Sequence, residues 1–317
     1  MIKIAFFGTP EFAKNFLARL YADAQISVCA VVCQPDKPVG RKQELEAPAT
    51  KIFALENKIP VFQPANLKSD IKMPAVDLFV VVAYGKIIPQ SILDIPKHGT
   101  INVHPSLLPK YRGPSPIQSA IANQDLETGV SIMLLDKEMD HGPILKQITI
   151  TIDDNETPET LRAKIVDVGA PLLISSIKSF LAGDLKPTEQ DHSKATICKL
   201  LTRDGGIIDW NESAEQIDAK IRAFTPWPGT STKWDNKILK IHRASVESRP
   251  SAGPDDLGDR TGFTLRQGKV KIIDNKLFIG TASTALEILE LQLEGKQKMN
   301  AKTFINGFSN INGTNLS

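Results

Sequence analysis

The chain has 317 residues, of which 41% are hydrophobic, and its formal net charge at pH 7 is +2. This length supports more than one packed core, and this hydrophobic content excludes a globally disordered protein. The near-neutral balance excludes a protein that binds nucleic acid through bulk charge, so any such contact must come from local patches.

Cysteine usage and the N-terminus indicate the compartment. The three cysteines, Cys29, Cys33 and Cys198, are too few for a disulfide framework and indicate a reducing environment. We interpret Cys29 and Cys33 as core thiols and expect no metal, because no second Cys/His pair has a suitable spacing.

The apolar start is too short for a signal peptide, and no run approaches the ~18 apolar residues of a membrane span. We expect a cytoplasmic monomer with no membrane partner.

Strand-like and helix-like runs alternate along the first half of the chain. In order they are IKIAFFG (strand), PEFAKNFLARLYA (helix), ISVCAVVCQ (strand), APATKIFALENK (helix), VDLFVVVAYG (strand), GTINVHPS (strand), SPIQSAIANQ (helix) and TGVSIMLLD (strand). A long helix or helix pair follows from Thr157 and Pro158. This order predicts an α/β domain, with a mainly parallel, Rossmann-like sheet and helices on both faces.

The second half has a different pattern. Residues 189–206 are polar without a sustained period, so we predict a linker between a domain at 1–188 and one at 207–317. After a short helix, AEQIDAKIRAF, short alternating runs are broken by Gly, Pro, Asn and Asp, which predicts a small barrel or sandwich. The polar tail NGFSNINGTNLS is expected to fray.

Nucleotide chemistry is not supported. The first strand is followed by GTPEF, which has one glycine where a dinucleotide fingerprint needs three. The chain also lacks a phosphate-binding Gly-x-x-x-x-Gly-Lys-Ser/Thr loop and a Gly-x-Ser-x-Gly nucleophile elbow.

A polar pair at one strand end carries the chemistry. Asn102 and His104 end the predicted strand GTINVHPS, and their i, i+2 spacing puts both side chains on one face. A carboxamide donor beside a titratable imidazole suits acyl transfer, in which an oxyanion must be stabilised and a proton moved. The loop LLDKEMDHGPIL offers a carboxylate partner for the imidazole in Asp136, Glu138 or Asp140. Two other interpretations stay open, a purely structural Asn-x-His pair and an aspartate that only forms a turn.

The segment NVHPSLLPKYRGPSPIQ resembles the signature of the folate-dependent formyltransferases. The signature alone is shared with enzymes that formylate glycinamide ribonucleotide and sugar amines. Segments across nearly the whole chain resemble the methionyl-tRNA formyltransferase branch of the family: FFGTPEFA, QPDKPVGR, PVFQP, VVVAYGKIIP, IRAFTPWPG and GKQKMNAKTFING.

The resemblance implies transfer of formyl from 10-formyltetrahydrofolate, the co-substrate, to the α-amine of methionine on initiator methionyl-tRNA, which enables translation initiation. By position, Asn102 and His104 would stabilise the oxyanion, and Asp140 would orient His104 and manage the amine proton. The folate site would comprise Ser106, Leu107, Leu108, Pro109, Tyr84, Gly85 and Ile87, the last three through backbone groups of AYGKII.

The resemblance also implies two nucleic-acid contacts. The loop PDKPVGRKQELEAP would meet the tRNA acceptor end, with Arg41 and Lys42 as phosphate contacts, although Glu44 and Glu46 depart from the family's more basic pattern. The second domain would be an OB-like tRNA-binding barrel, with phosphate contacts at Lys237, Lys240, Arg243 and Lys269. A solvated charged surface is the alternative for both.

Two other functions remain possible on the sequence. One is the same chemistry on a small amine, such as an aminosugar or glycinamide ribonucleotide. The other is a catalytically silent RNA-binding protein, against which the intact Asn102, His104 and Asp140 argue.

Overall fold

The computed structural model describes residues 1–40, 43–67, 73–246 and 265–317, which form two compact units. The first unit comprises Met1–Pro116, Glu127–Thr151 and Glu159–Lys199, and the second comprises Ile117–Leu126, Ile152–Pro158 and Leu200–Ser317. The predicted linker, 189–206, therefore divides between them, since its residues up to Lys199 pack with the first unit.

The first unit is built on a seven-stranded sheet, in which five parallel strands are followed by two antiparallel ones. In spatial order the strands are β5 (Val61–Phe62), β2 (Ile26–Val32), β1 (Ile2–Gly8), β6 (Leu78–Val82), β7 (Thr100–His104), β8 (Glu127–Leu134) and β9 (Ile144–Thr151). A separate short hairpin pairs β3 (Lys37–Val39) with β4 (Glu44–Glu46). The predicted mainly parallel sheet is confirmed.

Helices cover the central strands β1 and β6, which are buried from Ile4 to Gly8 and from Leu78 to Val82. The helices up to Ala182 are α1 (Glu11–Tyr21), α2 (Ala49–Glu56), α3 (Gln90–Leu93), α4 (Pro116–Ala122) and α5 (Pro158–Ala182). On one face of the sheet, Phe7 packs in a cluster with Tyr84 and with Ile92 of α3. On the other face Gly8 lets α1 approach, since a Cβ there would lie 2.7 Å from Cβ of Ala13.

Helix α5 differs from the expectation that no run is long and apolar enough to span a membrane. It has 25 residues with a mean hydropathy of 1.5 in its most apolar window, which satisfies length and composition. Leu161, Ile165 and Leu173 on this helix are fully buried, and Cβ at Gly169 would meet the ring of Phe16 on α1. This burial is the pattern of a core helix.

The second unit carries a six-stranded antiparallel sheet. Its strands are β10 (Thr230–Trp234), β11 (Lys237–Ser245), β12 (Val270–Ile273), β13 (Lys276–Gly280), β14 (Ala285–Leu293) and β15 (Met299–Asn300), and its further helices are α6 (Ala214–Phe224) and α7 (Ala301–Gly307). Ser213 begins α6 with a capping box to Gln216, which satisfies two otherwise free N–H groups. The core contains Trp234, Leu239 and Phe304. The sheet is consistent with the predicted small barrel.

The C-terminal tail does not fray, contrary to expectation. At one sheet edge the Lys233 N–H donates to the Ser317 carbonyl at 2.8 Å, and at the other the Val270 N–H donates to Thr314 at 3.0 Å. Leu316 is buried, and its N–H donates to the Gly268 carbonyl at 2.9 Å. The tail thus links the two edge strands, β10 and β12. Its polar composition concealed this role, because backbone groups do the pairing.

Candidate active site

The polar pair predicted at the end of β7 lies at the edge of the parallel part of the sheet. Asn102 and His104 are 9% and 4% exposed, respectively, and point to one face, while Ile101 and Val103 pack on the other. Within the described parts of the chain, the Asn102 carboxamide makes no side-chain hydrogen bond, although it is nine-tenths buried. A mostly buried donor that makes no side-chain hydrogen bond within the described residues is available to bind a ligand oxygen.

Asp140 reaches this pair from the loop between β8 and β9. Its Oδ1 lies 3.5 Å from His104 Nδ1, and its Oδ2 accepts from the Gly113 N–H at 2.8 Å. The backbone of Asp140 is left-handed, with φ of 51°. Gly142 is required in the same loop, since a Cβ there would lie 2.1 Å from the Leu134 carbonyl oxygen. Of the three carboxylates left open by the sequence, Asp140 is the one paired with His104.

The His104 ring is held at both nitrogens. Nε2 lies 2.8 Å from the Tyr111 carbonyl oxygen, and because a carbonyl only accepts, Nε2 is the donor. Nδ1 therefore faces Asp140 and can exchange a proton along the 3.5 Å contact. Of the pair, Asn102 is the residue whose side chain makes no hydrogen bond within the described residues, and His104 and Asp140 lie close enough for the couple to handle a proton.

The segment after β7 is a turn that β8 and β9 hold from behind. Ser131 is fully buried, and its hydroxyl donates to the Ser106 carbonyl at 2.6 Å and accepts from the Leu108 N–H at 3.1 Å. Gln147 donates to the Leu108 carbonyl at 2.9 Å. Gly129 leaves room for Leu107, since a Cβ there would lie 2.4 Å from its Cδ2. Ser106, Leu107, Leu108 and Pro109 thus form one rigid wall beside His104.

Ser131→Ala tests that wall. It leaves the Leu108 N–H and the Gln147 amide without their buried acceptor, so we expect a loss of about 2 kcal/mol in the free energy of unfolding. We also expect a higher KM for the ligand that the wall contacts, with kcat little changed. Thr100→Val is the matched control, because it removes a buried hydroxyl bonded to the Leu93 carbonyl at 3.2 Å at the far end of β7. A KM shift of equal size in both variants would contradict a specific role for the wall.

The segment 84–87 after β6 begins with a buried side chain and ends with an exposed one. Tyr84 is buried in the core, its ring 5.7 Å from that of Phe7, and burial raises the pKa of its hydroxyl. Its carbonyl already accepts from Thr9 Oγ1 at 3.1 Å and Gln34 Nε2 at 2.9 Å. Gly85 has φ of 79°, which glycine adopts without strain, and Ile87 is 93% exposed.

The predicted nucleic-acid contacts fall in different places. Arg41 and Lys42 lie outside the described residues. On β11, Lys240 is exposed on the outer face, opposite to Leu239 and Ile241 in the core. Arg243 is exposed and lies 3.9 Å from Glu290.

Two further cations of the predicted set are placed differently. Lys237 is exposed, but it lies opposite the buried Trp234 in the antiparallel pairing of β10 with β11. It is therefore on the face of β11 opposite to Lys240. The ammonium of Lys269 is bonded to the Gly313 carbonyl. Of these four cations, Lys240 and Arg243 are therefore the two that are exposed on the outer face of β11, where they pair with Gln292 and Glu290 of β14.

Sequence reasoning missed several groups that complete the site. The Gly113 N–H and the Tyr111 carbonyl hold Asp140 and His104, and no side-chain pattern reports such backbone contacts. Arg112, which donates to the buried Gln190, was also missed. Its position in the segment NVHPSLLPKYRGPSPIQ was the one sequence feature that could have pointed to it. No cluster of three or more potential metal ligands occurs in the described parts of the chain.

Comparison with known proteins gives the family. Residues 2–177 match the formyl transferase family, and residues 200–309 match its C-terminal domain. The chain belongs to the formyl transferase family. The second match begins where the second compact unit resumes, at Leu200.

Curated relatives of this formyl transferase align with it from end to end. The methionyl-tRNA formyltransferase of Caldicellulosiruptor saccharolyticus is 41% identical over 320 residues, covering 99% of each chain. That of Geobacter sulfurreducens is 38% identical, covering 99% of this chain and 96% of the relative. Such coverage includes both units.

Solved structures support the fold. WlaRD, a sugar 3N-formyl transferase solved with dTDP and 5-N-formyl-THF, has a TM-score of 0.66 at 21% identity and covers 94% of this chain and 99% of its own. HypX from Aquifex aeolicus, solved with tetrahydrofolic acid, has a TM-score of 0.61 at 18% identity, covering 96% of this chain and 47% of its own.

Proposed function

We propose that the chain transfers the formyl group of 10-formyltetrahydrofolate to the α-amino group of methionine on initiator methionyl-tRNA, as a cytoplasmic monomer. The observation that carries the chemistry is the buried Asn102 carboxamide, which has no side-chain partner among the described residues, beside the His104–Asp140 couple. The acceptor is supported by the end-to-end similarity to methionyl-tRNA formyltransferases.

Asn102 acts on the oxygen of the formyl group. As the methionine nitrogen bonds to the formyl carbon, that oxygen gains negative charge, and the Asn102 amide donates to it. The bond from the formyl carbon to N10 of the folate then breaks, and the oxygen returns to a carbonyl. Because the Asn102 side chain is mostly buried at the end of a strand before the reaction begins, its donor needs little reorganisation.

The His104–Asp140 couple manages the protons. The attacking amine must be neutral and loses a proton as it acquires the formyl group, while N10 gains one as it leaves. The Asp140 carboxylate, fixed by the Gly113 N–H and lying beside His104 Nδ1, takes the proton from the amine and passes it to N10. The Tyr111 carbonyl keeps the ring in the orientation that this transfer requires.

The folate contacts follow from the two segments beside the pair. The wall of Ser106, Leu107, Leu108 and Pro109 supplies apolar contact area. The backbone at Tyr84, Gly85 and Ile87 supplies polar groups for the pterin ring. Both segments follow the ends of neighbouring strands, β6 and β7, where ligands bind in open α/β sheets.

The tRNA contacts are assigned to cations. Lys240, Arg243 and Lys237 are exposed on β11, and Lys269 is half-buried before β12. We assign phosphate contacts to these four, and contacts with the acceptor end to Arg41 and Lys42, which lie outside the described residues. Because the chain has a net charge of +2, these contacts must be local.

A comparison of three acceptors, each in its own reaction, tests the function. The enzyme is supplied with 10-formyltetrahydrofolate and, in separate reactions, with initiator methionyl-tRNA, glycinamide ribonucleotide or an aminosugar nucleotide, and the formylated product is quantified. We expect formyl-methionyl-tRNA. Formylation of a small amine without tRNA would establish the small-amine alternative, and tRNA binding without formylation of any acceptor would establish a silent RNA-binding protein.

A further inference from the structure

A buried glutamine holds the loop that carries Asp140. Gln190 is 5% exposed, and its amide nitrogen donates to the Asp140 carbonyl at 2.9 Å and to the Gly142 carbonyl at 2.8 Å. Both amide hydrogens therefore bond to the same loop, one to the residue before His141 and one to the residue after it. Gln190 comes from the polar segment that follows α5.

Arg112 fixes which way the Gln190 amide points. Its Nε and one terminal nitrogen both lie near Gln190 Oε1, at 3.2 and 2.7 Å. A guanidinium only donates, so Oε1 must face Arg112 and the amide nitrogen must face the loop. Arg112 is itself 9% exposed and is held by His192, whose Nδ1 lies 2.7 Å from the same terminal nitrogen.

The held conformation is one that Asp140 does not adopt freely. Its φ of 51° is in the left-handed region, which a residue with a side chain occupies where neighbouring contacts hold it there. In that conformation the two carboxylate oxygens reach His104 and the Gly113 N–H.

We propose that Gln190 is a positioning residue for the formyl transfer, oriented by Arg112, which acts by holding Asp140 in contact with His104. The assignment rests on the proposed role of Asp140 in the function above. Gln190 touches no reacting atom, so its effect must pass through Asp140.

Gln190→Glu is the most informative variant, because it replaces the amide nitrogen and its two hydrogens with an oxygen and leaves the shape of the side chain unchanged. The carboxylate keeps the acceptor for Arg112 and gains an ion pair with it, which offsets part of the loss in stability. Its second oxygen then faces the carbonyl oxygens of Asp140 and Gly142. Because all three oxygens accept and none donates, both hydrogen bonds to the loop are lost. We expect kcat to fall about 30-fold, with KM for 10-formyltetrahydrofolate within about twofold.

Asn57→Asp is the matched control. The Asn57 amide donates to the Phe53 carbonyl at 2.8 Å at the end of α2, so the variant makes the same change against a backbone carbonyl. We expect a lower Tm and an unchanged kcat. Arg112→Lys is the second variant, because a single ammonium cannot hold Oε1 in the same way, and we expect a smaller fall in kcat than for Gln190→Glu.

A double-mutant cycle with Asp140→Asn separates positioning from a general structural role. If Gln190 acts through the carboxylate, Gln190→Glu lowers kcat about 30-fold in the wild-type background but less than about threefold in the Asp140→Asn background. An equal fold-change in both backgrounds, or a folded Gln190→Glu enzyme with wild-type kcat, would overturn the proposal. The cycle is measured on whichever of the three acceptors above the wild type formylates, so a wrong acceptor rejects the proposed function without affecting this comparison.

Crystal structures of the wild type and of Gln190→Glu provide a readout independent of turnover. We expect the variant to lose the bond from Gly113 to Asp140 and to lengthen the contact between Asp140 Oδ1 and His104 Nδ1 beyond 3.5 Å. An unmoved Asp140 loop in the variant would overturn the proposal, whatever the activity.

Discussion

Asn102→Ala should lower kcat by roughly 10²–10³-fold, with the Kd for methionyl-tRNA unchanged. The reason is that the carboxamide is nine-tenths buried and lacks a protein partner in the described parts of the chain, so its donor is available for the oxygen that gains charge. Water cannot take its place without being ordered in the same position. Single-turnover formylation and a separate filter-binding titration measure the two quantities.

Asn102→Asp distinguishes donation from packing. The carboxylate fills the same volume but cannot donate when ionised, so we expect a loss of kcat at least as large as for alanine. A variant with aspartate that kept most of its turnover would show that Asn102 has a packing role and that the oxyanion donor is another group.

Reversing charge on the outer face of β11 should weaken tRNA use. We expect the double variant Lys240→Glu/Arg243→Glu to raise KM for methionyl-tRNA about 100-fold and to leave KM for 10-formyltetrahydrofolate unchanged. Lost phosphate contacts release fewer counterions, so the slope of log(1/KM) against log[salt] should become shallower by about 2. Steady-state kinetics at several salt concentrations measure both effects.

The control for that variant makes the same change in net charge at two lysines of the same unit that do not lie on β11. Lys296 and Lys302 are exposed in the same unit, beyond β14 and on α7, so Lys296→Glu/Lys302→Glu removes an equal number of positive charges. A similar rise in KM for both double variants would mean that tRNA senses the total charge of the unit and that the outer face of β11 is not the contact.

The catalytic pair could be predicted from the sequence because a strand imposes its own geometry. Asn102 and His104 are two residues apart, so a single strand assignment places both on one face without knowledge of any partner. From the residue pattern alone, Asp140 could be narrowed only to one of three carboxylates in a loop, and the family resemblance was needed to single it out. Its selection depends on the Gly113 N–H and the room that Gly142 leaves, which are contacts between segments distant in sequence.

Polar segments were where sequence reasoning failed. The tail was expected to fray and the segment around Gln190 was assigned to a linker, because neither shows an apolar period. Both are ordered by hydrogen bonds: backbone pairing in the tail, and a buried amide at Gln190. Periodicity reports side chains that leave water for a core, and it does not report polar groups that find partners there.

The way the tail links the two edges of the barrel sheet bears on how this unit folds. The hydroxyl of Thr232 donates to the carbonyl of Ser317, across a sequence separation of 85 residues. Hairpins such as β10–β11 and β12–β13 need only short loops to close, whereas the seam at the tail requires almost the whole unit to be in place. Because these contacts join residues 85 positions apart, we expect them to form after the hairpins.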